Sequence, residues 1–457
     1  MPTSLLWFRR DLRLGDHPAL LAALEAAGPQ GAVLPLFVVD PALWRPSGAP
    51  RRQFLRDCLA VLREDLGGAL VIRGGDPAGV VPALAREIGA TTVHVSADTG
   101  PYGRRRDAAV ERALGATPLV RTGSPYAVTP GRITKSDGSP FRVFSPFARA
   151  WRAHGRRAPA PRPAVVPWLT GTASDDLPPA QDLGGVRLPA AGEDAALAAW
   201  GRFREERLPD YPGTRNRPDT DGTSRLSAYL KYGCVHPRTL LADLDRTDGE
   251  EPEPVRRFTD ELAWREFYAD VVWHRPESVR EPLDPRTGAI PYDSGPAADE
   301  LFAAWAQGRT GYPIVDAGMR QLLGEAYVHN RVRMIVASFL VKDLHLDWRR
   351  GARYFLQHLV DGDLASNNHG WQWVAGTGTD ASPYYRVFDP TRQGRQFDPE
   401  GDYVRRWVPE LRDLPAAHVH EPWLAPGGVP AGYPEPVVEH AAEREVALAR
   451  YQRVRSA

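Results

Sequence analysis

Cysteine is almost missing: Cys58 and Cys234 are the only two in 457 residues. Two thiols cannot build a disulfide framework, and a reducing, cytoplasmic setting is expected. Net charge is missing too. Lysine plus arginine total 57, and aspartate plus glutamate also total 57. That excludes a protein that coats nucleic acid by bulk charge, while leaving room for a local basic patch. No run approaches the roughly 18 apolar residues of a membrane helix. The apolar stretch 5–8 is followed at once by Arg9 and Arg10, too short and wrongly charged for a secretory signal. The phosphate loops GxGxxG and GxxxxGK(S/T) do not occur. Neither HExxH nor an EF-hand loop is present, so no metal centre is expected; His418 and His420 stand in a proline-rich loop. What remains is an ordinary globular balance, 42% hydrophobic and 25% charged, which rules out disorder, collagen and coiled coil as descriptions of the whole chain. The length suggests about two or three domains. One count is high: 13 tryptophans.

The first 125 residues alternate between two periodicities. Short strands are expected at 5–8, 33–40, 70–73, 91–96 and 118–121. Helices are expected between them at 18–27, 51–66, 77–88 and 104–114. The first begins at Asp16-His17-Pro18 and stops at Gly28, and the second places Leu55, Leu59, Leu62 and Leu66 on one face. Such alternation predicts a doubly wound parallel α/β sheet with ligands at the carboxyl ends of its strands. From 126 to about 200 prolines and alanines crowd in, and a surface connector is expected. Arg142, Arg149, Arg152, Arg156, Arg157 and Arg162 come with no acid among them. They are either a solvated linker or one rim of a phosphate-binding surface. Beyond 201 strands vanish and an all-α domain is expected, with helices at 224–232, 255–274, 298–307, 314–325, 330–340 and 348–359 and a final one at 437–453.

Polar residues concentrate in a few places. Asp361-Gly-Asp-Leu-Ala-Ser-Asn-Asn-His-Gly-Trp-Gln-Trp373 joins two carboxylates, two amides and two tryptophans. Paired carboxylates raise glycoside hydrolysis, but neighbours in one loop rarely face each other across a sugar. Asp and Asn also suit a heterocycle edged with N–H and C=O groups, such as a flavin or a base. The plain alternative is a helix capped by Asp363 with the tryptophans as core. Gly222-Thr-Ser-Arg-Leu-Ser227 sets three hydroxyls at an expected helix start, either an N-cap or an anion site. Glu261 and Arg265, and likewise Asn330 and Met334, are four apart and share helix faces. With Trp264 they read as a mixed polar and stacking pocket, or as core packing.

Taken together, six segments resemble the photolyase/cryptochrome family, closest to class I cyclobutane pyrimidine dimer (CPD) photolyases. They are Leu6-Trp-Phe-Arg-Arg-Asp-Leu-Arg-Leu14, Thr223-Ser-Arg-Leu-Ser227, Trp264-Arg-Glu-Phe-Tyr268, Thr310-Gly-Tyr-Pro-Ile-Val-Asp316, His329-Asn-Arg and the Asp361–Trp373 run. They lie in the family's order between about Ser4 and Pro434. The resemblance implies FAD in the helical domain, 201–457, an antenna chromophore in 1–125 and a linker over 126–200. It assigns Tyr211, Thr223, Ser224, Arg225, Leu226, Ser227 and Arg265 to the diphosphate and ribose end of FAD. Arg333 would pair with Asp361, while Asp361, Gly362 and Asp363 would hold the flavin and its sugar, with Asn367 facing the flavin's N5. Asn cannot ionise, which suits a fully reduced anionic flavin.

The same resemblance places Glu261, Trp264, Asn330, Met334 and Trp373 around a flipped-out dimer. Photolyases are among the enzymes that extrude their target nucleotides. Arg215, Arg331 and the 142–162 stretch would hold DNA phosphates without reading sequence. The reaction implied is light-driven electron transfer from reduced FAD to the dimer, with no metal and no nucleophile. Trp371 and Trp348 match inner members of the family's photoreduction relay. Its outer tryptophan is missing, and Tyr292 or Trp305 stands nearest. Ala97-Asp-Thr-Gly-Pro-Tyr-Gly-Arg-Arg-Arg-Asp107 resembles the antenna segment that takes 8-hydroxy-5-deazaflavin, with Asp98 and Lys231 as contacts. Methenyltetrahydrofolate is the alternative antenna. A monomer acting on damaged DNA, with no membrane contact, is expected. The other family reading is a cryptochrome-type blue-light receptor without repair; the little chain past Pro434 and the lesion set argue for repair.

Overall fold

The computed structural model of the chain describes residues 2–245, 251–379 and 385–456. In chain order it opens with β1 (Thr3–Phe8), α1 (Pro18–Ala27), β2 (Ala32–Val39), α2 (Pro41–Trp44), α3 (Ala49–Asp65), β3 (Val71–Gly74), α4 (Pro77–Glu87), β4 (Ala90–Val95), α5 (Pro101–Leu114) and β5 (Leu119–Arg121). Helices then follow without strands: α6 (Phe144–His154), α7 (Glu193–Arg202), α8 (Tyr211–Thr214), α9 (Ser227–Tyr232), α10 (Pro237–Leu244) and α11 (Glu253–His274). After them come α12 (Pro296–Ala306), α13 (Pro313–Glu325), α14 (Asn330–Ser338), α15 (Trp348–His358), α16 (Leu364–Ala375), α17 (Pro390–Phe397), α18 (Asp402–Trp407), α19 (Ala416–Val419) and α20 (His440–Ser456). The expected α/β-then-helical organisation is what the chain adopts. No helix among the described residues is long and apolar enough to cross a membrane.

The chain packs as two compact units. The first comprises Met1–Asp182, Pro189–Glu206 and Ser224–Pro276; the second comprises Leu183–Leu188, Arg207–Thr223 and Glu277–Ala457. The first contains a parallel sheet ordered β3-β2-β1-β4-β5. Its central strand β1 is buried at every position, as covering by helices on both faces requires. Leu5, Trp7, Leu34, Leu36, Val81, Val93 and Val110 form its core. Part of the connector serves the sheet. Val33 N–H donates to Pro167 O and Leu169 N–H to Val33 O, both at 2.9 Å, and Gly74 N–H donates to Asp175 Oδ2 at 2.8 Å. The stretch thereby supplies partners to strands that would otherwise offer bare edges. Another part is not linker at all: 144–154 is helix α6, with Phe147 and Trp151 buried.

Much of the Leu6–Leu14 signature is structural. Asp11 accepts from Arg9 N–H at 2.7 Å and Ser96 Oγ at 2.6 Å, and Arg13 donates to Gly233 O at 3.0 Å. The second unit is all helical, built on Trp305, Met319, Phe339, Trp348, Phe355 and Trp371.

Burial pulls the pKa of His17, His94 and His236 in the first unit, and of His369 in the second, down to about 4 from an ordinary 6.5. A depressed histidine stays neutral in the fold while the unfolded chain takes up protons. Its stabilising contribution is therefore present above about pH 6.5 and is lost as pH falls towards 4. The thermal midpoint followed by circular dichroism is expected to fall steadily across that window. A midpoint constant from pH 6.5 to 4.5 would mean that the histidines do not outweigh the buried Asp343 and Asp398, whose pKa values burial raises to about 6 and which act in the opposite direction.

Candidate functional site

In the first unit α11 presents Glu261, Trp264 and Arg265 within about one turn. Trp264 lies flat on Phe144, with ring centroids 3.8 Å apart and planes 7° apart. Phe267 meets it edge-on at 5.7 Å, and Tyr268 lies tilted to it at 5.4 Å. Arg265 spends its donors on backbone, Nη1 on Pro125 O and Nη2 on Leu230 O, both at 3.0 Å, and its guanidinium covers the Tyr126 ring at 4.5 Å. It therefore fixes the start of the connector and the end of α9, beside the hydroxyl-rich stretch.

That stretch differs from expectation. Helix α9 begins at Ser227, three residues later than predicted, and has no side-chain cap. Arg225 turns the chain with φ 51°, and Ser224 Oγ accepts from Leu226 N–H at 3.4 Å. The left-handed residue ends any helix running into Ser227 from upstream. Ser224 and Arg225 thus belong to a turn, while Leu226 is buried.

At the carboxyl end of β4, Asp98 accepts from Gly100 N–H at 3.0 Å and pairs with Arg106 at 3.2 Å. Burial alone would raise its pKa, but Arg106, Arg9 and Arg10 hold it below the usual carboxylate range. Arg9 and Arg106 both lie over the Trp7 ring, at 4.8 and 5.0 Å. The Lys231 carbonyl accepts from Arg10 Nε at 3.2 Å, and its ammonium lies over Tyr232. Of the basic connector residues, Arg152 pairs with Asp260 at 2.7 Å, Arg156 with Asp245, and Arg162 with Glu193 at 3.8 Å. Arg142, Arg149 and Arg157 are exposed.

In the second unit the Asp361–Trp373 run is a capped helix. Asp363 Oδ1 accepts from Ala365 and Ser366 N–H, both at 3.1 Å, and starts α16. Asp361, just before Gly362, does different work. Its Oδ2 accepts from Arg333 Nη2 at 2.8 Å, while its buried Oδ1 has no hydrogen-bond partner among the described residues. Burial pulls the Arg333 pKa down, and Asp361 more than restores it. Arg333 Nε also holds Val328 O at 2.8 Å. Asn367 donates its amide hydrogens to Ala352 O at 3.0 Å and Asn368 Oδ1 at 2.9 Å, which turns its carbonyl oxygen outward from that pair.

Helix α14 opens with exposed Asn330 and half-buried Arg331 and Met334. Arg331 donates to Asn216 Oδ1 at 3.0 and 3.3 Å and lies 4.4 Å over Phe397. Burial and the like charge of Arg215 both lower its pKa. Arg215 lies 5.7 Å over the ring of buried Tyr211. Trp373 is partly buried and lines a polar recess with Lys342, Tyr385 and Arg386. Trp371 touches Phe355 at 5.1 Å and Trp305 at 6.1 Å, both edge to face. Trp348 is buried, with no hydrogen-bond partner for its indole N–H among the described residues, and Tyr292 is packed against the same core. Among the described residues no three His, Cys, Asp or Glu side chains gather as a metal site.

Three residues important to these arrangements escaped the sequence reading: Phe144, Asn216 and Glu266, whose carboxylate on α11 accepts from Trp151 Nε1 of α6 at 2.6 Å. Only Phe144 left a signal. It stands three and seven residues before Phe147 and Trp151, a helical spacing hidden in an arginine-rich segment.

A family model described as the FAD binding domain of DNA photolyase matches residues 258–453, and one described as DNA photolyase matches 4–165. The chain is 42% identical to the deoxyribodipyrimidine photo-lyase of Halobacterium salinarum, covering 99% of both chains. It is also 42% identical to that of Streptomyces griseus, covering 100% of this chain and 99% of the relative. Among solved structures, a class III photolyase from Agrobacterium tumefaciens superposes with a TM-score of 0.89 at 36% identity, over 100% of this chain and 98% of that one. A Synechocystis cryptochrome gives 0.87 at 28% identity, over 99% of each. A Sulfolobus tokodaii photolyase described with two FAD molecules gives 0.81 at 29%, over 99% and 100%. Full-length identity at this level, on the same fold, leaves one conclusion: the chain belongs to the DNA photolyase family.

Proposed function

We propose that the chain opens cyclobutane pyrimidine dimers in DNA with light, using FAD held by its helical part, 201–457. The observation that supports this best is the buried Asp361 carboxylate: one oxygen is committed to Arg333 and the other is open. A buried acceptor left without a donor is costly, and an N–H edge such as a flavin presents would satisfy it. The residues fit the cofactor on this ground. When bound and reduced, FAD supplies the light-absorbing electron donor for ring opening.

The chain's own groups position. Asp361, with Arg333 behind it, takes the N–H edge, and Gly362 lets the backbone come close. Asp363 starts α16 and so places Asn367, whose outward carbonyl accepts and cannot release a proton. Tyr211, Thr223, Ser224, Arg225, Leu226, Ser227 and Arg265 are assigned to the cofactor's diphosphate and ribose. For the dimer, Trp264 and Trp373 stack, Glu261 accepts from pyrimidine N–H, and Asn330 and Met334 line the wall. Stacking of about 1–3 kcal/mol per base offsets the few kcal/mol of extrusion. Arg215, Arg331 and the exposed Arg142, Arg149 and Arg157 meet phosphates. Trp371, Trp348 and Tyr292 form the photoreduction relay. The antenna in 1–125, contacted by Asp98 and Lys231, is 8-hydroxy-5-deazaflavin; methenyltetrahydrofolate and a second flavin, as described for the Sulfolobus neighbour, are the competitors. Non-ionising Asn367 and the lesion set favour repair over the light-receptor role of the cryptochrome neighbour.

The test is illumination of the reduced holoenzyme with DNA carrying a thymine dimer. Absorbance at 260 nm should recover in the light and not in the dark. Unchanged dimer after saturating illumination, with FAD bound, would refute repair.

A further inference from the structure

We infer that Phe144 is a positioning residue for lesion recognition: it fixes the plane of Trp264 and joins that ring to the basic face of α6. The inference rests on Trp264 stacking against the dimer, as proposed above. Trp264 is only half-buried, and a half-exposed indole is free to change rotamer unless neighbours hold it. Phe144 covers one face at 3.8 Å, almost parallel. Phe267 meets both rings edge-on, Trp264 at 5.7 Å and Phe144 at 6.0 Å.

Phe144 is itself anchored rather than loose. It is the first residue of α6, and that helix is clamped along α11 at three further points. Phe147 packs on Phe267 at 5.1 Å, Trp151 Nε1 donates to Glu266 at 2.6 Å, and Arg152 pairs with Asp260 at 2.7 Å. Phe144 is therefore a wall behind one face of the indole, and a base stacked on Trp264 as proposed would use the other. The other side of α6 carries exposed Arg149, and exposed Arg142 lies two residues before Phe144. Backbone phosphates captured there and a base stacked on Trp264 would be held by one rigid pair of helices. Such preorganisation spares the ordering entropy that binding otherwise costs.

The test measures binding of the holoenzyme to two oligonucleotides of the same sequence, one with a single thymine dimer and one undamaged, with flavin absorbance as a check of folding. Phe144→Ala should cut the preference for damaged DNA about 3- to 10-fold, the range of an aromatic pair. Phe144→Tyr should keep it within about twofold. The double variant Phe144→Ala/Trp264→Ala should be no worse than Trp264→Ala alone, because Phe144 acts through that ring. Wild-type preference in Phe144→Ala, tighter dimer binding in it, or additive losses in the double variant would overturn the inference. If Trp264→Ala itself keeps full preference, the stacking assignment falls, and this inference with it. If Trp264→Ala loses preference but Phe144→Ala does not, only the inference falls.

Discussion

Asp361→Ala should purify without flavin. The substitution removes two things at once. The open Oδ1 goes, and with it the charged hydrogen bond proposed to the cofactor, about 1.5–3 kcal/mol or roughly 10- to 150-fold in affinity. Arg333 also loses its carboxylate partner at 2.8 Å, but its side chain is a quarter exposed, so stranding it costs less than the about 3–5 kcal/mol of a fully buried pair. The apo thermal midpoint should still fall, along with the flavin content. Asp361→Asn keeps an oxygen for Arg333 and should fall between the two. Asp363→Ala is the control. Its carboxylate caps α16, a role worth about 0.5–2 kcal/mol, so flavin should be weakened rather than lost. The ratio of 450 to 280 nm absorbance, measured with the thermal midpoint, separates these cases. Stoichiometric flavin in Asp361→Ala would remove this carboxylate from the cofactor site.

The two acids stand in one loop, but the fold separates them: Asp363 caps a helix, the plain alternative for that stretch, and Asp361 faces Arg333, a pairing implied by the family resemblance and not by spacing. Helix α16 was legible only as the plain alternative, for a physical reason. Asn367, Asn368 and Gly370 have weak helix propensity, and the helix is held instead by the Asp363 cap and by Gln372, whose Nε2 donates to Ser278 O at 2.6 Å. The sheet was legible because strands buried on both faces must be continuously apolar, as β1 and β2 are. Helix α1 was legible to the residue, from a proline at its start and Gly28 at its end. Charge misled at α6. Six arginines looked like solvent-facing linker, but three of them are matched by acids far away in sequence. Tryptophan count was a mixed signal: Trp7 and Trp305 are core, while Trp264 and Trp373 keep partial exposure.

Glu266 carries no proposed chemistry, yet replacing it should be among the most destabilising changes in the first unit. It is 2% exposed and accepts three donors: Trp151 Nε1 at 2.6 Å, Val128 N–H at 3.0 Å and Ala127 N–H. Burial pushes its pKa up, and these donors, with Arg265, oppose the shift. In Glu266→Ala all three donors lose their acceptor inside the fold. Each orphan costs about 1–3 kcal/mol, so a total of about 3–9 kcal/mol is expected. Glu266→Gln offers one acceptor oxygen but turns an NH2 towards the remaining N–H groups. It also sheds a buried charge, so a smaller loss of about 1–3 kcal/mol is expected. The consequence reaches function because the same carboxylate ties residues 127–128 and α6 to α11. Loosening it frees Phe144 from behind Trp264. Glu266→Gln should therefore lose preference for dimer-containing DNA in step with its loss of stability, while its affinity for undamaged DNA, set by phosphate contacts, stays the same. Chemical denaturation and the paired oligonucleotide measurement check the two halves separately. A Glu266→Ala protein within 1 kcal/mol of wild type would mean that its three donors find other partners.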